Sequence, residues 1–325
     1  MSDATYEVLG IGNAIVDVIA EADDAFLGAH GMAKGGMALI DEAQASAIYA
    51  AMGPGIEASG GSAGNTIAGV ASFGGKAAFI GKVRDDMLGE IYQHDLRALG
   101  VHFTTPVATS GASTARCLVL VTDDAQRTMN TFLGACVDLT PDDIDEALVA
   151  AAGITYLEGY LFDPPLAKEA FRKAARVARG AGRKVALSLS DSFCVHRYRD
   201  EFLALIAEHI DILFANEAEI AALYGVADVD AAADALAGQV EIAAITLGAA
   251  GSLLVRGDER VRVAAAPVDK VIDTTGAGDL YAAGVLFGLS RGLPLAECGR
   301  LGGIAAGEII SHYGARPQTA LATLA

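Results

Sequence analysis

The chain contains no tryptophan, and aromatic residues make up only 6% of it, so small aliphatic side chains must form most of its core. It is also poor in basic residues: 23 Lys and Arg stand against 41 Asp and Glu, a formal net charge of −18. A general nucleic-acid binder needs a basic stripe, and the sequence has no Lys/Arg cluster. Binding to an anionic membrane surface is disfavoured for the same reason. We therefore expect an acidic, solvated surface and neither a nucleic-acid nor a membrane partner.

Cysteine is scarce and scattered, at Cys117, Cys136, Cys194 and Cys298. The sequence has neither a C-x-x-C spacing nor a Cys/His cluster that would indicate a zinc site. We therefore expect reduced thiols in a cytosol. The first residues lack the basic and apolar regions of a secretory signal. The longest uncharged run, 58–75, is interrupted by Gly, Ser, Asn and Thr and is a poor membrane span. These absences predict a cytoplasmic location.

What is present is a chain of 325 residues, 53% hydrophobic, with 38 glycines. Short apolar runs predict buried strands at 6–11, 77–83, 154–158, 184–189, 211–215 and 242–247. Helical patterns alternate with them, including 85–100, which Gly100 would end, and 139–153, with Thr140 as N-cap. Continuous apolar strands alternating with helices predict an α/β protein: a three-layer, doubly wound, mostly parallel sheet flanked by helices.

Two segments break this alternation. Residues 13–40 contain no convincing long helix, and residues 101–133 contain two β-like runs around the turn signal D-D-A. We predict that 13–40 and 101–133 form a small, discontinuous β-sheet that acts as a lid on one large domain spanning 1–325.

Two common nucleotide motifs are absent. Gly10-Ile-Gly12 follows the first strand, but Ile15 stands where a dinucleotide fingerprint requires its third glycine. No G-x-x-x-x-G-K-[ST] run is present, so the chain is not a P-loop NTPase.

The stretch D-T-T-G-A-G-D-L-Y-A-A-G, 273–284, points to phosphate chemistry instead. Small residues at Gly276, Ala277 and Gly278 would leave amide groups bare at the start of an apolar helix, where the helix dipole also favours an anion. Asp279 in the first turn could then take a proton from a hydroxyl group. The alternative is an ordinary helix whose aspartate only satisfies its first turn.

A second stretch, 60–90, begins G-G-S-A-G-N-T. Gly60 and Gly61 would let the backbone approach a ligand closely, and Asn65 offers a donor and an acceptor suited to a polyol. Together the two stretches resemble the two signature regions of the PfkB carbohydrate kinase family, which has the ribokinase-like fold. The resemblance extends from about Gly12 to Gly314.

This resemblance implies an ATP-dependent kinase that uses Mg²⁺ and, as in many members, K⁺. It implies Asp279 as the catalytic base, with the amides of 276–278 as the anion hole. By the same resemblance, the other site residues are Asn13, Asp17, Gly61, Ser62 and Asn65 for the substrate; Asn216, Glu219, Thr246, Gly248 and Gly251 for ATP, with Glu219 also acting indirectly on Mg²⁺; and Asp273, Thr275 and Gly314 for a monovalent cation. Alternatives remain for several: Asn216 and Glu219 could simply begin a helix, Gly248 and Gly251 could form a plain hairpin turn, and Asp17 could be solvated.

Further similarities narrow the choice of phosphoryl acceptor. Ser62-Ala63 stands where ribokinases carry Lys-Gly, whereas 31–42 and the run after Arg127 are similar to the adenosine kinase branch. Arg127 would reach the nucleotide phosphates from the lid, although a solvated arginine is the alternative. A purine needs apolar walls. The candidates are Cys117, Phe132, Leu133, Met37 and Tyr160.

Adenosine is therefore the first choice of acceptor, phosphorylated on its 5′-hydroxyl. A sugar kinase acting on ribose, fructose or 2-keto-3-deoxygluconate is the alternative, and a non-catalytic ligand-binding protein of the same fold is a second. Two departures from the family pattern leave roles open: Arg84 replaces a usual glycine, and Glu158 places a charge where nucleoside kinases are often apolar. A monomer and a dimer formed through the lid are both compatible with the sequence.

Overall fold

The computed structural model describes residues 4–124, 126–162, 164–226, 228–236 and 238–325. In chain order the strands are β1 (Tyr6–Ile11), β2 (Ile15–Glu21), β3 (Met37–Leu39), β4 (Ile56–Ser59), β5 (Ala77–Ile80), β6 (His102–Phe103), β7 (Ala115–Val121), β8 (Arg127–Phe132), β9 (Ala152–Glu158), β10 (Lys184–Ser188), β11 (Ile212–Asn216), β12 (Ile242–Thr246), β13 (Ser252–Arg256) and β14 (Glu259–Val263). The α-helices are α1 (Asp24–Ala29), α2 (Glu42–Ala51), α3 (Ser62–Ser72), α4 (Met87–Ala98), α5 (Glu146–Ala151), α6 (Pro165–Gly180), α7 (Ser192–His209), α8 (Glu217–Tyr224), α9 (Val229–Leu236), α10 (Ala277–Ser290) and α11 (Leu295–Ile309).

The large sheet has nine strands within the described residues, in the order β14-β13-β12-β11-β10-β9-β1-β5-β6. Pairing is parallel from β12 to β6 and antiparallel from β12 to β14. β1 lies between β9 and β5, so the chain order of the strands reverses there. In an open α/β sheet, ligands bind beyond the carboxyl ends of the strands at such a reversal.

Helices cover both faces of this sheet, because successive side chains of a buried strand point in opposite directions. Val8 of β1 belongs to a core formed with α3, α4, α10 and α11. Leu9 and Ile11 belong to a second core formed with α5 to α9. The three-layer, mostly parallel architecture predicted from the sequence is confirmed.

The second sheet has five strands in the order β3-β8-β7-β2-β4, and we call it the lid sheet. One of its faces, which carries Val16, Val18 and Leu118, packs with Leu27 of α1 and Ile48 of α2. Its strand β4 lies outside the two predicted lid segments, whereas β6, inside the second segment, pairs with β5 of the large sheet. Ala125, in the predicted turn, lies outside the described residues.

One predicted helix is wrong in its extent. Residues 139–153 were expected to form a single helix, but a single 3-10 turn at Pro141–Asp143 is followed by the short α5, and Gly153 belongs to β9. The Asp143 carboxylate accepts hydrogen bonds from the amide and hydroxyl of Thr140, at 2.9 and 3.1 Å. This closes the first turn on itself, and Ile144 is extended. By contrast, α4 ends as expected, with Gly100 at a φ of 80°.

None of the helices within the described residues is both long and apolar enough to span a bilayer.

Candidate active site

A cleft of about 900 Å³ lies between the large sheet and the lid sheet. Its floor is formed where β1, β9, β10, β11 and β12 end, because parallel strands bring their carboxyl ends to one edge. The described floor residues are Asn13, Glu158, Ser188, Ser190, Asn216 and Thr246. The cleft has the size of an ordinary small-ligand site.

Asp279 lies at the start of α10 and faces this cleft. Ser62 donates its hydroxyl to Asp279 Oδ1 at 2.6 Å, and Asn65 donates its amide to Oδ2 at 2.9 Å. Desolvation raises the pKa of Asp279, while these two hydrogen bonds and the charge of Arg316 lower it. The carboxylate is thus held by two residues of α3 rather than turned out to solvent.

Gly276 is the N-cap of α10, and its φ of 78° lies in the left-handed region that favours glycine. Ala277 donates its amide to the Thr274 carbonyl at 3.2 Å. Within the part of the chain that the structure describes, the amides of Gly276, Gly278 and Asp279 have no protein acceptor. The predicted anion hole therefore needs one correction: Ala277 is already engaged, and the bare amides are those of 276, 278 and 279.

The start of α3 is fixed from below by Glu158, which is 1% exposed. Its Oε2 accepts from the Ala63 amide at 2.7 Å, and its Oε1 accepts from the Asn13 side-chain amide at 2.8 Å and the Asn13 backbone amide at 3.4 Å. Burial raises the pKa of Glu158 to about 7, against these hydrogen bonds. Both oxygens have protein donors, so the role left open for Glu158 is a tie between β1 and α3.

Gly61 precedes α3 with a φ of 82°. A Cβ atom there would overlap the Asn13 carbonyl oxygen, so only glycine lets the two segments approach this closely. Gly61, Ser62 and Asn65 all line the cleft, as the sequence predicts, and Ser62 and Asn65 do so while holding Asp279.

Three side chains in the cleft have carboxylate or amide oxygens that lack a hydrogen-bond donor among the described residues. Asn13 Oδ1 and Asn65 Oδ1 are buried and unpartnered. Their orientation is set because each Nδ2 donates to a carboxylate. The Asp17 carboxylate likewise accepts no hydrogen bond from a described residue. Desolvation, with a smaller contribution from the Asp279 charge, raises the pKa of Asp17 to about 6. The charges of Arg316 and Arg127 lower it in part.

The lid sheet presents a row of side chains to the cleft. Four residues are neighbours across adjacent strands and form this row: Asp17 of β2, Cys117 of β7, Thr131 of β8 and Leu39 of β3. Met37, Met129 and Leu133 extend this lining.

The placement of Phe132 as a cleft wall is wrong. It alternates with Thr131 along β8 and lies on the opposite face, where the Arg116 guanidinium stands 5.6 Å from its ring centre. Cys117, Leu133, Met37 and Tyr160 do line the cleft. The sequence reading missed Phe193, which lines the same cleft and is 74% exposed. Its signal was an apolar residue directly after the strand-ending run S-L-S-D-S.

Asn216 and Glu219 begin α8 as a reciprocal cap: the Asn216 side chain accepts from the Glu219 amide at 2.9 Å, and Glu219 accepts from the Asn216 backbone amide at 3.0 Å and side-chain amide at 2.7 Å. Both also line the cleft, together with Thr246. Gly248 and Gly251 do not line it and instead turn β12 into antiparallel β13, which is the hairpin alternative.

Glu219 lies on an acidic wall of the cleft. Burial, with smaller contributions from the nearby Asp191 and Asp279 carboxylates, raises the pKa of Glu219 to about 7, against the hydrogen bond from the Asn216 amide. The described residues contain no group of three or more acidic, His or Cys side chains placed to hold a metal directly. Mg²⁺ commonly binds through one or two carboxylates and substrate phosphates, so the indirect role predicted for Glu219 stays a prediction.

One basic side chain, Arg197 of α7, lines the cleft among the described residues. Sequence reasoning missed it in the run H-R-Y-R, which carries no pattern of its own. Arg316, also missed, is a half-buried arginine near the C-terminal end. It donates to the Ser59 carbonyl at 2.8 Å and to the Gly64 carbonyl, and so holds the segment before α3.

The three residues predicted to bind a monovalent cation come together, but they do not fit one. Asp273 Oδ1 accepts from the Thr275 amide at 3.0 Å and hydroxyl at 2.8 Å. Its Oδ2 accepts from the Gly314 amide at 3.4 Å and forms an ion pair with Arg127 at 2.6 Å. Arg127, predicted to reach nucleotide phosphates, is therefore bound to this loop through Nη1, while its Nε and Nη2 have no hydrogen-bond partner among the described residues.

A large parallel sheet with an acidic residue at a helix start, beneath a smaller sheet, defines the ribokinase-like class of α/β proteins. The model of the pfkB family carbohydrate kinases matches residues 56–321. The chain therefore belongs to the pfkB family of carbohydrate kinases, and the resemblance seen in its sequence is confirmed. ATP use is implied by that family.

The chain is similar to several solved and curated proteins. It is 56% identical to the adenosine kinase structure from Sinorhizobium meliloti, with a TM-score of 0.91 over 99% of this chain and 98% of that one. It is 49% identical to a probable sugar kinase from Rhizobium etli CFN 42, with a TM-score of 0.92 over 99% and 98%. It is 26% identical to adenosine kinase of Saccharomyces cerevisiae over 89% of this chain and 90% of that protein.

Proposed function

We propose that this chain transfers the γ-phosphoryl group of ATP to the 5′-hydroxyl of adenosine, giving AMP and ADP. The observation that carries the proposal is the convergence of the Asp279 carboxylate and the bare amides of 276, 278 and 279 at one end of the cleft. The 56% identity to a structure described as an adenosine kinase supports the choice of acceptor.

The unpartnered oxygens of Asn13, Asp17 and Asn65 define the kind of group the acceptor must present. A buried acceptor without a donor is costly, and a ligand hydroxyl removes that cost. The vicinal hydroxyls of a ribose supply such donors side by side. Asn13 and Asn65 are 3% and 5% exposed, so the ligand rather than bulk water would satisfy them.

Aromatic side chains provide the surface for the other end of the acceptor. Phe193 and Tyr160 are both exposed, and both line the cleft. Together with Cys117 and Leu39 of the lid sheet they provide apolar surface against which a purine ring can stack. An aldose without a base would leave this surface in water.

In the proposed reaction Asp279 accepts the proton of the 5′-hydroxyl group while the oxygen of that hydroxyl group forms a bond to the γ-phosphorus. The bond between the γ-phosphorus and the bridging oxygen to the β-phosphate breaks, and ADP leaves. The amides of Gly276 and Gly278 donate to the equatorial oxygens of the transferred group, where charge develops. Arg197 lies on the wall where the remaining phosphates would pass. Mg²⁺, held indirectly by Glu219, would neutralise phosphate charge.

The test is the turnover of Asp279→Asn with adenosine and ATP. Loss of the base should lower kcat by roughly 10² to 10⁴-fold with little change in KM. Asp269→Asn, which removes an exposed carboxylate outside the cleft, is the control and should keep wild-type turnover. Near-wild-type kcat in Asp279→Asn would refute the assignment.

A sugar kinase is the second candidate, because the oxygens of the same three side chains can accept from any polyol and one similar structure is described as a probable sugar kinase. ATP consumption against a panel of nucleosides, ribose, fructose and 2-keto-3-deoxygluconate decides between them. Higher kcat/KM for a free sugar than for adenosine would replace the first proposal by the second. No turnover with any member of the panel would favour a non-catalytic ligand-binding role.

A further inference from the structure

Arg127 makes a buried ion pair that joins the lid sheet to the loop before α10. It is the first residue of β8 in the lid sheet, and its Nη1 lies 2.6 Å from Asp273 Oδ2 and 3.3 Å from the Thr275 hydroxyl. The two charged side chains are 9% and 5% exposed. The guanidinium also lies 5.3 Å from the centre of the Tyr313 ring. Arg127 is therefore enclosed by the loop that precedes α10 and by the segment that follows α11.

The same contacts leave no room for a second cation at Asp273. The carboxylate accepts from two donors on each oxygen, so each of its four lone-pair positions has a partner. Gly314 presents its amide rather than its carbonyl oxygen to this carboxylate, and an amide donor cannot coordinate a cation. A free monovalent ion here would also stand beside the guanidinium and be repelled by it.

The position matters because of what the loop carries. Asp273 and Thr275 lie directly before Gly276 and the bare amides at the start of α10. A positive charge bound to Asp273 holds this loop against the lid strand β8. It also contributes to the electrostatics of the cleft: the charge of Arg127 lowers the pKa of Asp17.

We propose that the Arg127 guanidinium occupies, as a tethered cation, the position expected for a monovalent ion at Asp273, so that Arg127 positions the 274–278 loop and the protein needs no K⁺. The part of this inference that concerns stability does not depend on the proposed reaction. The part that concerns turnover rests on the proposed kinase activity.

The first experiment measures the thermal unfolding midpoint of the ligand-free wild-type protein in KCl and in choline chloride, each at about 150 mM. An ion bound with a Kd of about 5 mM would shift the folding equilibrium roughly 30-fold at that concentration, whereas an occupied site gives no potassium-specific shift. Because no substrate is present, a wrong choice of acceptor cannot affect this result. A higher midpoint in KCl would overturn the proposal.

The second experiment repeats the comparison with Arg127→Met, which leaves Asp273 buried without its cation. Breaking a buried pair is strongly destabilising, so the midpoint in choline chloride should fall by roughly 5 °C, and KCl should recover part of the loss. Arg116→Met, which removes a lid arginine that stacks on Phe132, is the matched control and should gain no potassium response. Equal insensitivity of wild type and Arg127→Met would overturn the proposal, because the loop would then have no cation position to fill.

Two further variants keep the test decisive. If Arg127→Met does not fold, Arg127→Gln retains a donor to Asp273 without the charge and takes its place, while Arg127→Lys should restore potassium independence. Turnover with ATP and Mg²⁺ is then measured in both salts: wild type and Arg127→Lys should differ less than twofold between salts, and the neutral variant should be stimulated by K⁺. Stimulation of wild type only in the presence of ATP would show that the arginine leaves Asp273 during turnover, and it would overturn the proposal.

Discussion

Ser62→Ala tests how the environment of Asp279 sets the pH dependence of turnover. The Ser62 hydroxyl lies 2.6 Å from Asp279 Oδ1 and stabilises the ionised carboxylate. A hydrogen bond to a charged group contributes about 1.5–3 kcal/mol. Its loss should therefore raise the pKa of Asp279 beyond the raising that desolvation already causes. The base works only when it is ionised, so the acid limb of the rate profile should move to higher pH by the equivalent of that free energy.

The assay is kcat/KM measured against pH, because that profile reports the free enzyme. Above the new acid limb, Ser62→Ala should recover most of the wild-type rate, since Asn65 still holds the other oxygen at 2.9 Å. Ser113→Ala, which removes an exposed hydroxyl bonded to Glu42, is the control and should leave the profile unchanged. An acid limb that stays in place in Ser62→Ala, with the rate lowered equally at all pH values, would refute the reasoning.

The remaining predictions concern backbone geometry and acceptor binding. Gly61→Ala should lower the free energy of unfolding by about 1–3 kcal/mol more than Gly100→Ala: both glycines have a φ near 80°, but only at Gly61 would the new Cβ overlap the Asn13 carbonyl, whereas no atom lies within 4 Å at Gly100. Urea unfolding of both variants measures the difference, and equal losses would contradict it. Phe193→Ala should raise KM for adenosine roughly tenfold with kcat nearly unchanged. The substitution removes stacking on the purine ring but leaves Asp279 in place. Steady-state kinetics check this against Tyr49→Ala, an exposed aromatic outside the cleft, and an unchanged KM would contradict it.

Six strands of the large sheet, β1, β5 and β9 to β12, were accessible from the sequence because they are largely buried and appear as continuous apolar runs. The antiparallel edge strand β14 was missed, since its sequence E-R-V-R-V is mostly exposed. The edge strand β4, with the sequence I-E-A-S, gives no such signal, since Ile56 is 73% exposed and only Ser59 is buried. The helix expected over 139–153 failed for a different reason. Its cap residues were identified correctly as turn formers, but the side chain of Asp143 satisfies Thr140 locally and ends the turn after three residues.

The placement of Asp279 beside bare amides at the start of α10 was predictable because the motif is contiguous. Bare amides and Asp279 lie within one short run, and their chemistry follows from the residue types. Contacts between distant segments were not predictable. Glu158 was only an unexplained charge, since its partners Ala63 and Asn13 are 95 and 145 residues away. Arg127 was assigned to phosphates because nothing local in the chain indicates that it meets Asp273.

The two ends of the cleft are built from different parts of the molecule. Asp279 is held by α3 and α10 of the large domain, whereas the row Leu39, Thr131, Cys117 and Asp17 belongs to strands of the lid sheet. An inherited change in that row alters the lid wall of the cleft without touching the residues that hold Asp279. Under the proposed function, selection can therefore change acceptor preference one strand position at a time while the proposed base keeps its surroundings.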